Sequence, residues 1–125
     1  MRRERGDGGQ ASVELALVLP LVVILLLAVV QLGLLVRDQI LVVHAAREAV
    51  REAAVDPAAD APRRAALASS ALTDSRLTVT STGRGAVGTR VRVEVAYRAP
   101  TGVPLLGAAV GNLTLRASAT MRVER

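Results

Sequence analysis

The chain contains no cysteine, lysine, tryptophan or phenylalanine, and it has one aromatic residue, Tyr97, and one histidine, His44. Without thiols there is neither a disulfide framework nor a thiolate metal site, and the redox compartment goes unmarked. With one ring there is no stacking platform of the kind that single-strand nucleic-acid binders use. The formal charge of +5 is also spread along the chain rather than gathered in one patch, so no nucleic-acid partner is expected. His44 and Glu48 stand four apart, but no second histidine joins them, and the pair reads as part of a solvated helix face. No nucleophile motif is present. The expectation is therefore a protein that is not an enzyme, with no catalytic residue, metal or cofactor. All 16 basic residues are arginine, which together with the abundant alanine reads as coding bias before it reads as function.

What the chain does have is one long apolar run. Residues 15–36 carry no charge and a single strongly polar side chain, Gln31. At about 1.5 Å per helical residue the run reaches about 33 Å, enough for the roughly 30 Å hydrocarbon core of a bilayer. A secretory signal peptide has a shorter apolar core and a small-x-small cleavage site after it. Here Arg37 and Asp38 follow, so the span is expected to stay on the mature chain. Arg2, Arg3 and Arg5 precede it, while Arg37, Arg47 and Arg51 follow. The charge balance together with the short leader favours a cytoplasmic N-terminus and an exported C-terminal part.

Three positions inside the run invite helix association. Pro20 lacks the N–H that would bond the Ala16 carbonyl and should loosen the helix locally. Gln31 would prefer an interhelical hydrogen bond to lipid, and Gly33 offers a close-approach surface. The alternative is an ordinary single-pass anchor that tolerates one glutamine. Glu14, at the threshold of the run, likewise has two readings: an acid kept in the headgroup region by the helix dipole, with Ser12 as N-cap, or a carboxylate that needs a cationic partner in the apolar interior.

Beyond the span, residues 39–55 contain neither glycine nor proline and separate at helical spacing into two faces. Val42, Ala45, Ala46, Ala49, Val50 and Ala53 form one; His44, Arg47, Glu48, Arg51 and Glu52 form the other. One continuous helix over about residues 12–55 is predicted, stopped at Asp56-Pro57. Residues 63–72 read as a short helix with Ala66, Leu67, Ser70 and Ala71 available for packing, and residues 73–75 as a turn.

The period then changes to two. Leu77, Val79 and Ser81 alternate with Thr78 and Thr80; Val91, Val93, Val95 and Tyr97 alternate with arginines and Glu94; Leu113 to Val123 repeat the pattern. The expected fold class is α+β: a long N-terminal transmembrane helix continuing into a small domain with a three-stranded antiparallel sheet, its apolar face covered by the alanine stripe. The opposite face gathers Arg90, Arg92, Arg98, Arg116 and Arg122, a solvated surface or one that meets an anionic partner. The connection over residues 100–112, PTGVPLLGAAVGN, is apolar for a loop, and Leu105, Leu106 and Val110 are expected to fold back over the core, with contact to a neighbouring subunit as the alternative.

Gly9-Gln10-Ala11-Ser12-Val13-Glu14 ahead of a long apolar helix resembles the processing site of type IV pilin-like proteins. The wider pattern, with GQASVE, LPL, the Q-x-G of residues 31–33 and HAAREAVR as landmarks, resembles the TadE-like proteins of tight-adherence, Flp-type pilus systems. That resemblance implies a prepilin peptidase cutting between Gly9 and Gln10, and Glu14 pairing with the new amine of a neighbouring subunit. It also implies other pilin-like subunits and an assembly platform as partners in a hetero-oligomer at the cytoplasmic membrane. The major Flp pilins are much shorter and usually place tyrosine after the glutamate, where this chain has Leu15, so the resemblance is to a minor pilin or pseudopilin. The division that follows is a cytoplasmic leader over 1–9, a transmembrane helix over 10–38 and an extracytoplasmic pilin-like domain over 39–125. Two rivals stand beside it: an unprocessed single-pass protein whose sheet binds an anionic surface or partner, and a membrane-tethered enzyme, which requires a polar cleft.

Overall fold

The computed structural model describes residues 7–103 and 105–124; Arg2, Arg3 and Arg5 of the expected leader lie outside the described residues. Helix α1, Asp7–Val55, is one unbroken helix of 49 residues with Pro20 inside it. At about 1.5 Å per residue it is about 74 Å long, far longer than the domain it carries. It starts five residues before Ser12, so Ser12 lies in the helix body and does not cap it. Asp56 still donates its backbone N–H to the Glu52 carbonyl at 2.8 Å, and Pro57 then ends the ladder. The Asp56 carboxylate accepts from the Ala58 N–H at 2.9 Å, which turns the chain back on itself.

Helix α2 covers Ala61–Ala68, two residues earlier at its start and four earlier at its end than the sequence suggests. Pro62 occupies the first turn, where its missing N–H costs nothing. At the other end the Ser70 hydroxyl donates to the Ala66 carbonyl at 2.6 Å, and the helix stops there. Ala61, Pro62 and Ala66 are buried, Ser70 is half-buried and Ala71 is exposed. A single 3-10 turn, Asp74–Arg76, leads into the sheet.

Strands β1 (Leu77–Thr82), β2 (Arg90–Ala99) and β3 (Leu113–Arg122) form one antiparallel sheet in the order β1-β2-β3. Val79 stands opposite Val95, and Val95 opposite Ala117, so the apolar residues of all three strands share one face. The central strand alternates cleanly, with Val91, Val93, Val95, Tyr97 and Ala99 buried. Against them lies the outer half of α1, where Val42, Ala45, Ala46, Ala49, Val50, Ala53 and Ala54 are buried. Alanine at five of these seven positions lets the helix axis approach the sheet closely, and valine on the sheet fills the space. β3 is only half covered: Leu115, Ala117 and Ala119 are partly buried, while Val123 beyond its end is fully packed.

Two hydrogen bonds set the register between α1 and β3. The Gln39 amide donates to the Arg116 carbonyl at 3.2 Å, and the Glu124 N–H donates to the Ala54 carbonyl at 3.0 Å. The strand therefore runs in the same direction as the helix. The connection between β2 and β3 consequently sits at the end of the domain nearer the apolar run, and the β1–β2 connection sits at the far end.

Candidate functional site

The apolar run of α1 is bare. Its most apolar 18-residue window has a mean hydropathy of 3.0 and none of it is buried. Leu15, Leu17, Leu21, Leu25, Leu26 and Val29 are among the side chains that face outward. A contiguous apolar cylinder of this length is not stable in water, and it matches the thickness of a bilayer. A core helix of a soluble protein would be covered along its length, whereas this one is packed along residues 42–54 and, within the apolar run, only on a narrow strip through Gln31. The geometry is that of a single-pass membrane protein, with the sheet domain on one side of the span.

At the start of the helix, Gly9, Gln10 and Glu14 are exposed in consecutive turns. Gln10 and Glu14 are four apart and share a helix face. No ion pair to Glu14 forms among the described residues. Among the described residues, no atom lies within 4 Å of where a Cβ on Gly9 would stand.

The three positions singled out within the span fall into different surroundings. Pro20 is exposed and does not interrupt the helix. Gly33 is exposed and open, with nothing among the described residues within 4 Å of a Cβ placed on it. Gln31 is 6% exposed, and neither its amide nitrogen nor its amide oxygen has a hydrogen-bond partner among the described residues. It belongs to a covered strip in which Leu27, Ala28 and Leu35 are also half-buried, continuing the alanine stripe toward the membrane.

The apolar connection does not fold over the core as expected. Leu105 is 72% exposed and Val110 54%; of Leu106 only the backbone is described. Val103 is the residue that tucks in, and residues Leu106–Val110 form a short helix, α3, that the sequence reading did not anticipate. The reason is geometric: the alanine stripe already covers the buried face of β2, so the loop is left to the end of the sheet. The sequence signal is the uncharged length of this connection, which says that it is apolar and does not say which surface it meets.

Elsewhere, His44 is exposed on the polar face of α1, and among the described residues no group of three or more His, Asp or Glu is placed to hold a metal ion. The arginine face of the sheet is exposed. Arg116 approaches Glu94 at 3.7 Å and Arg92 donates to the Ser118 hydroxyl at 3.0 Å, whereas Arg90 and Arg122 stand directly opposite each other at the end of the ladder.

No curated protein and no solved structure is significantly similar to the chain. Residues 9–51 match the family model described as TadE-like protein, a stretch that opens at Gly9, takes in the whole apolar run and closes inside the alanine stripe. Over that stretch, roughly a third of its length, the chain is similar to TadE-like proteins.

Proposed function

We infer that the chain is a membrane-anchored pseudopilin or minor pilin that takes part in assembling a Flp-type, tight-adherence pilus or a related secretion filament. The observation that carries this reading is the TadE-like stretch, because it begins at the glycine of the processing motif and ends on the helix face that holds the sheet domain. In this reading residues 1–9 are a cytoplasmic leader removed by a prepilin peptidase, 10–38 cross the cytoplasmic membrane and 39–125 form the exported domain. The mechanism is association rather than catalysis. Glu14 pairs with the Gln10 amine of a neighbouring subunit, which sets axial register, because a carboxylate carried into an apolar bundle needs a cation beside it. The open surfaces around Pro20 and Gly33 let helices approach, and Gln31 adds an interhelical hydrogen bond only where its cover is lifted.

In this reading Gly9 eases access of the peptidase to the backbone. A glycine inside a helix destabilises it by about 0.5–1 kcal/mol relative to alanine, so the first turns open readily. Mass spectrometry of the mature N-terminus in cells with an active prepilin peptidase is the decisive measurement. A chain beginning at Gln10 is expected; a membrane-resident chain that keeps residues 1–9 refutes the processing step.

A second reading is favoured by the facing arginines. Arg90 and Arg122 are directly opposed, and like charges across a strand pair destabilise it by a few tenths of a kcal/mol or more. An anionic surface or partner lying on the sheet would remove that repulsion. Replacing both by glutamine should then abolish surface binding while Gly9→Leu leaves it intact; pilus assembly orders the two the other way.

A further inference from the structure

We propose that the β2–β3 connection is a second membrane contact, dipping into the outer leaflet beside the helix so that Leu105 and Val110 sit among lipid chains. The proposal rests on α1 being a transmembrane span, and it goes beyond pilus assembly.

Depth is the first argument. Between the two register bonds, residues 116 to 124, which take in most of β3 and the two residues after it, run alongside residues 39 to 54 of α1, so one strand residue travels with about two helical ones. Three further strand residues bring Leu113 and its partner Ala99 level with about residue 33 of α1, and the loop between them reaches lower still. The burial of α1 agrees independently: Leu27, Ala28, Gln31 and Leu35 are covered along one face while the residues around them are bare. That face lies inside the apolar run.

Keeping the loop in water would require the bilayer to end below residue 27. The bare apolar residues left on α1, from Val13 to Leu26, would then span about 21 Å, well short of the roughly 30 Å needed. Placing the outer boundary at Arg37 and Asp38 satisfies the helix and immerses the loop.

The loop's chemistry suits that place. No charged residue occurs between Arg98 and Arg116, and Leu105 and Val110 project outward. Backbone groups inside a membrane must find partners within the protein. The Gly107 N–H bonds the Val103 carbonyl at 3.1 Å, the Gly111 N–H bonds the Gly107 carbonyl at 3.2 Å, and the Thr101 hydroxyl bonds the Gly111 carbonyl at 3.1 Å. Packing is tight enough that a Cβ on Gly107 would lie 2.5 Å from the Thr101 carbonyl oxygen. Leu105 is held at φ 69°, a conformation that leucine rarely adopts, and there its side chain remains exposed. The cover also keeps the Gln31 amide away from hydrocarbon.

The absence of cysteine makes the test direct. Single-cysteine variants of the full chain, Leu105→Cys, Val110→Cys, Leu25→Cys and Val87→Cys, are labelled with an environment-sensitive fluorophore in vesicles of phosphatidylglycerol and phosphatidylethanolamine. Leu25 reports the span, and Val87 the far end of the domain. Labels at 105 and 110 should be quenched by lipids spin-labelled near the headgroup, and should resist aqueous iodide at least threefold better than the label at 87. If they respond to iodide like 87 while 25 remains lipid-quenched, the loop lies in water and the proposal falls alone. If 25 is not lipid-quenched either, the span itself is wrong and the proposal falls with it. Shielding from both quenchers at 105 and 110 would mean that a second copy covers the loop, which also overturns it.

Discussion

Gln31→Leu tests the covered strip most sharply. Glutamine and leucine are similar in volume, so the substitution leaves packing nearly unchanged and removes an amide that has no partner among the described residues at either its nitrogen or its oxygen. A buried polar group without a partner costs about 1–3 kcal/mol, and replacing it by an apolar group of the same shape returns most of that. For a domain of this size each kcal/mol moves the midpoint by about 4–8 °C, so a rise of at least about 4 °C is expected. Tyr97 supplies the readout. It is the only aromatic ring, it is 4% exposed on β2, and without tryptophan its emission is not drained by energy transfer. Thermal melts of wild type and variant in the same detergent, followed by tyrosine emission and by circular dichroism, give the shift. A lower midpoint, or an unchanged midpoint with weakened self-association, refutes the reasoning. Either outcome would mean that the amide is partnered in the assembled protein.

Ala49→Leu should destabilise the domain by about 1–3 kcal/mol, because Ala49 is fully buried where α1 meets the sheet and the added atoms have nowhere to go; the same tyrosine melt measures it. Gly83→Ala should cost about 1–2 kcal/mol or more, since Gly83 has φ 76° and a Cβ there would meet the Arg90 carbonyl oxygen at 2.9 Å; a chemical denaturation curve with unchanged slope checks it. Arg63→Ala removes the guanidinium that binds the Leu77 carbonyl at 3.1 Å and the Asp74 carbonyl and carboxylate, tying α2 to the start of β1. The pair is half-exposed, so the loss should be only about 1 kcal/mol, with hydrogen exchange accelerating in α2 and β1 ahead of β2.

The sequence spoke most clearly where one periodicity ran without interruption. Val91 to Tyr97 alternate strictly, and Val42 to Ala53 recur at helical spacing, so the buried faces of β2 and α1 were legible residue by residue. Helix ends were less so. Among the described residues α1 is already helical at Asp7 rather than near Ser12, although Gly8 and Gly9 disfavour helix there, and α2 is displaced because Pro62 sets its first turn. The β2–β3 connection departs from the expected core cover for a different reason. Apolar composition says that a segment avoids water, but not whether it does so against protein or against lipid; only the shared direction of α1 and β3 decides which end of the domain it occupies. The TadE-like stretch was visible in the residues themselves, whereas the burial of Gln31 within an otherwise bare apolar run leaves no local trace in the sequence.

The common direction of α1 and β3 also governs how the domain responds to force. A pull along the helix axis, such as a subunit anchored at one end and loaded at the other would experience, runs parallel to the face between helix and sheet. Its contacts from Gln39 to Ala54 are then strained together in shear instead of peeling apart one after another. A thin seam of alanine and valine, modest in equilibrium terms, thereby becomes a joint that is mechanically strong along one axis and weak across it.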